Sequence, residues 1–92
     1  MSHPFPPDPY PTELCRLLAL RRVRRGHVVL VGHDLFVDRG RRVPDYLHIA
    51  LRALLDDGHL HLGSELKGCA QWPVLATASG QQLHTELEEL RK

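Results

Sequence analysis

Cys15 and Cys69 are the only cysteines in the 92 residues, too few for the disulfide scaffolds that hold small secreted domains together. The sequence therefore predicts free thiols in a reducing, cytoplasmic compartment. No apolar run approaches the roughly 18 residues that a bilayer-spanning helix needs. Residues 1–11 are proline-rich where a secretory leader would be basic and then apolar. Neither secretion nor membrane insertion is expected. A phosphate-binding glycine loop, a nucleophile motif and paired carboxylates are all missing, and a short chain offers little pocket, so neither an enzyme nor a cofactor is expected.

What is present is ordinary for a folded protein. With 42% hydrophobic and 25% charged residues, the chain falls among globular sequences and away from disordered ones. Its length leaves room for one core. Charge is where the sequence departs from the average. The net value of +1 conceals a block, residues 16–42, in which eight arginines face only Asp34 and Asp38. A basic block of this kind points to a polyanionic partner, although a solvated arginine face would look the same.

Residues 1–11 hold five prolines, which supply no ladder donors and cannot build a helix, so this stretch is expected as an extended arm before one domain over 12–92. Thr12 is a plausible N-cap for a first helix reaching about Arg25, with Leu14, Leu17 and Leu18 on one stripe and Gly26 as its stop. Arg21, Arg22, Arg24 and Arg25 in its last turns also suit the negative end of the helix dipole. Residues 27–31 and 35–37 are two β-branched runs around Gly32-His33-Asp34 and predict a hairpin. The competing reading makes Asp34 the cap of a short helix over 35–39, ending at Gly40. Pro44 suits the first position of a helix whose Leu47, Leu51, Leu54 and Leu55 form a stripe and which Gly58 ends. Residues 59–62 alternate as a half-buried strand does, and 72–77 is the expected partner across a polar loop, 63–71. Thr77 then caps a last helix with Leu83, Leu87 and Leu90 on one face.

Two blocks carry a family likeness. Leu51-Arg52-Ala53-Leu54-Leu55-Asp56-Asp57-Gly58-His59-Leu60 resembles the end of the recognition helix and the entry to the wing in winged-helix transcription regulators. Leu75-Ala76-Thr77-Ala78-Ser79-Gly80-Gln81-Gln82-Leu83 resembles that family's second wing strand, its threonine cap, and the glycine where helix and sheet approach closely. The resemblance covers about residues 41–92. It implies a small α+β winged-helix domain: a helix, a hairpin or short helix, a recognition-type helix over 44–57, a wing hairpin and a C-terminal helix. It further implies a transcriptional regulator whose partner is double-stranded DNA.

On the helix face opposite the leucines stand Asp45, Ile49, Arg52 and Asp56, flanked by Tyr46 and His48. Arg52 could read a guanine edge and Ile49 a thymine methyl. Arg39, Arg41 and Arg42 before the helix would hold phosphates, and Lys67 is the sole base of the wing loop. Trp72, at a strand start, is expected to anchor the hairpin. The two aspartates favour a rival, a winged-helix adaptor that binds a partner protein. A lesser alternative is a metal-sensing regulator using His59, His61 and Cys69, against which no short zinc-site spacing is present. Leu83, Leu87 and Leu90 either pack on the domain's own core or pair with a second copy in a homodimer.

Overall fold

The computed structural model describes residues 13–90, so the expected proline arm and the Thr12 cap lie outside the described residues. The chain there is α+β, with three helices and one five-stranded antiparallel sheet. Helix α1 (Glu13–Arg24) buries Leu17, Leu20 and Val23, spaced at three residues along one side. It ends where Gly26 takes φ +88° and its amide reaches the Val23 carbonyl at 2.9 Å.

Strands β1 (Val28–Val31) and β2 (Leu35–Asp38) pair antiparallel, with Val28 opposite Asp38 and Val31 opposite Leu35. The hairpin, and not the short helix, is what residues 27–38 form. Leu30 and Phe36 are buried beneath it, a burial that a short helix over 35–39 would have to replace. A second tight turn follows, in which Arg39 (φ 54°) and Gly40 (φ 82°) are both left-handed, as two-residue hairpin loops require. It leads into β3 (Arg41–Arg42), paired with β2. No strand was expected there, because two consecutive arginines carry no apolar alternation to signal one.

Helix α2 (Asp45–Asp56) starts one residue later than expected, with Pro44 in the cap position at φ −59° and ψ 156°. Leu47, Ala50, Leu51 and Leu54 are buried along its inner side. Its end is a Schellman arrangement: the Gly58 amide donates to the Leu55 carbonyl at 3.2 Å and the His59 amide to the Leu54 carbonyl at 2.9 Å. Strands β4 (Leu60–Leu62) and β5 (Gln71–Ala76) form the next hairpin, and α3 (Ala78–Leu90) closes the domain. The Gly80 amide donates to Thr77 Oγ1 at 3.1 Å, the cap expected from the sequence. Leu87 is buried and Leu83 half-buried against the core, while Leu90 is 68% exposed.

The sheet order is β3-β2-β1-β5-β4, so β1 joins the two hairpins side by side. Val29 faces Pro73 and Val31 faces Gln71. The Gly32 amide donates to the Ala70 carbonyl at 2.8 Å, which puts the first turn and the 63–70 loop at the same end of the sheet. At the other end lie the end of α1, the Arg39-Gly40 turn and the start of β4. The core between sheet and helices is apolar, with Phe36, Leu17, Leu20, Leu47, Leu51, Leu54, Val28 and Val74 fully buried.

Candidate nucleic-acid interface

Apart from the half-buried Arg16, the arginine block divides into two roles once folded. Arg21 holds Glu88 through Nε at 2.9 Å and Nη2 at 3.1 Å, and Arg22 Nη1 holds Asp38 Oδ2 at 2.8 Å. The hydrogen bonds to Glu88 push the Arg21 guanidinium further to its charged side, with partial burial opposing them. These two arginines fasten α1 to α3 and to the sheet. Arg24, Arg25, Arg39, Arg41 and Arg42 are exposed and form no ion pair among the described residues.

Topology gathers most of the second group. The Arg39 amide donates to the His27 carbonyl at 3.2 Å, so the turn carrying Arg39 sits beside the end of α1 carrying Arg25. Arg41 and Arg42 lie on β3, at the edge of the sheet. Side chains alternate along a strand, so these two project to opposite sides of that edge and wrap it in positive charge. Charged residues on an edge strand also prevent pairing with another chain, which is a sufficient structural reason for them. By sequence Arg25 counted in the basic block and as a complement to the helix dipole, but not among the DNA contacts; its membership in that block was the available signal for its place beside Arg39.

Helix α2 presents a mixed face. Tyr46 is 47% and Ile49 49% exposed, large values for such side chains. Arg52 Nε lies 3.4 Å from Asp56 Oδ1 one turn later, a pair open to water. His48 is turned toward the first hairpin: its ring meets Phe36 edge-on at 5.4 Å, and Nε2 is 3.5 Å from Asp34 Oδ1. A groove of about 440 Å³ runs between that turn and α2, and its charged lining is Asp34, Asp56 and Asp57 against Arg52. Phosphate would be repelled there.

Lys67 stands apart. It occupies a left-handed position (φ 50°) in the 63–70 loop, which is closed by the Leu66 amide on the Gln71 carbonyl at 2.7 Å and by the Ala70 amide on Glu65 Oε2 at 2.8 Å. This loop is at the end of the sheet opposite Arg39. The structure thus brings Arg39, Arg41 and Arg42 together with Arg25, sets Tyr46, Ile49 and Arg52 on the adjoining helix, and leaves Lys67 a sheet length away. Trp72 is half-buried on β5 opposite Leu30 of β1, one residue past the start of the strand that follows the 63–70 loop.

His59 Nδ1 is 3.1 Å from Ser79 Oγ, while Cys69 lies in the loop at the far end of the β4–β5 hairpin. Among the described residues no three His, Cys, Asp or Glu side chains are placed to hold a metal ion. No helix among them is long and apolar enough to cross a membrane. Comparison with protein-family models, with curated proteins and with solved structures finds no match to the chain.

Proposed function

We propose that this chain is a winged-helix domain that binds double-stranded DNA and acts as a transcriptional regulator. The observation that carries the reading is a group of exposed arginines that form no ion pair among the described residues: Arg41 and Arg42 on the edge strand that leads into α2, with Arg39 in the turn before it and Arg25 beside that turn. The order of elements supports the fold assignment: a helix, a strand (β1) that pairs with the second strand of a later hairpin, a helix, and then that hairpin. The β2–β3 segment stands where the first helix of a helix-turn-helix would lie. In this reading the four arginines hold phosphates, while Tyr46, Ile49 and Arg52 face base edges in the major groove. Arg52 would have to exchange Asp56 for a base, a small loss because the pair is solvent-exposed. His48 contributes indirectly, by fixing the α2 face against the first hairpin, and Lys67 would add one phosphate contact from the wing. Within the same proposal, a second copy pairs through Leu90, the member of the α3 stripe that the domain's own core leaves exposed.

The second reading is a protein-binding adaptor, and the acidic groove beside α2 with Ile49 on its wall favours it. Titration of random duplex DNA against rising salt separates the two. Phosphate-mediated binding is present at low salt and falls steeply as salt rises; an adaptor shows no binding at any salt concentration.

A further inference from the structure

A hollow of about 620 Å³ opens between α1, α3 and the β4–β5 hairpin, within the range of roughly 300–1,000 Å³ typical of small-molecule sites. Leu20 and Val23 of α1 and Leu75 of β5 give it an apolar lining. Its polar wall comes from Arg24, His61, Gln81, His84 and Thr85, and no aspartate or glutamate lines it among the described residues. Gly80, in the first turn of α3, also lines it, with the His59 carbonyl packed where a Cβ would stand.

One of these polar groups has unused capacity: Arg24 forms no ion pair among the described residues. His84 is only 12% exposed, with its Nε2 closed off beside Glu88 Oε1 at 3.4 Å, so it enters the wall as a packed imidazole ring. A cation at the rim, imidazoles in the wall and leucine and valine below select an anion with an apolar body. A guanidinium matches a carboxylate's two oxygens in particular.

We propose that this hollow binds a small organic carboxylate with an apolar body, the carboxylate at Arg24 and the body against Leu20, Val23 and Leu75. This site uses none of the arginines assigned to DNA and does not rest on the DNA reading. Phenylacetate, and phenylacetamide as its neutral match, are titrated into the ¹⁵N-labelled full chain and followed by NMR. Expected are saturable shifts centred on Leu20, Arg24, Leu75 and His84, with the amide binding about tenfold more weakly or worse, a difference of about 1.4 kcal/mol. Arg24→Gln, at an exposed position, should keep the parent's spectrum and bind phenylacetate no better than the parent binds the amide. His84→Gln should weaken phenylacetate while leaving the dispersion of the spectrum intact. The proposal is overturned by shifts that do not saturate, by equal binding of acid and amide, by parent-like affinity in Arg24→Gln, or by shifts centred on Arg39, Arg41 and Arg42 instead.

Discussion

Arg22 and Asp38, sixteen residues apart, meet at 2.8 Å where the last turn of α1 crosses the end of β2. The Asp38 side chain is only 11% exposed, so its charge depends on that guanidinium for compensation. Arg22→Ala should therefore cost about 1–3 kcal/mol, more than the usual exposed ion pair, because it leaves a mostly buried carboxylate short of a donor. Urea denaturation measures it. A loss no larger than that of Arg25→Ala would mean that the pair contributes nothing specific.

Gly80 offers a test in which two principles predict opposite signs. Alanine inside a helix ordinarily gains up to about 1 kcal/mol over glycine. Here a Cβ would overlap the His59 carbonyl oxygen, against backbone that cannot swing aside. Gly80→Ala should lose about 1–3 kcal/mol by forcing α3 away from the start of β4. Thermal unfolding of the variant gives the sign directly.

That close approach was implied by the resemblance of residues 75–83 to the winged-helix block, while the threonine cap at Thr77 was legible from the sequence itself. So were the leucine stripe of α2 and the first hairpin, both of which follow from spacing within a dozen residues. The β3 strand was not, because Arg41 and Arg42 form a strand only by completing the turn at Arg39-Gly40. Nor could spacing show that β1 pairs with β5 across forty residues, and that pairing is what sends Lys67 and Arg39 to opposite ends of the sheet. Of the candidate site, the arginines before Pro44 were visible as a charge block. Arg25 joined them through the hydrogen bond between Arg39 and His27, and His48 proved to be engaged by Phe36 and Asp34, contacts that no periodicity contains.

Arg39 is held in a left-handed conformation (φ 54°) that asparagine tolerates better. Arg39→Asn should raise stability by up to about 1 kcal/mol while weakening DNA binding, since it relaxes the turn and removes a phosphate contact. Denaturation and a binding titration on one sample check both. Gain in stability without loss of affinity would make Arg39 a turn residue only.

Lys67 reports on the wing. If the 63–70 loop meets phosphate, Lys67→Ala weakens binding to all sequences alike and lowers the salt slope by about one unit. An unchanged slope would confine the interface to the β3 edge and α2.

The most direct measurement is the salt dependence of random-duplex binding for the parent chain and for Arg39→Ala/Arg41→Ala/Arg42→Ala together. Four or five phosphate contacts give an expected parent slope of log K against log salt of roughly −3.5 to −4.5, and the triple change should remove about 2.7 of it. Absence of binding at low salt, or equal slopes for the two chains, would contradict DNA recognition through this edge.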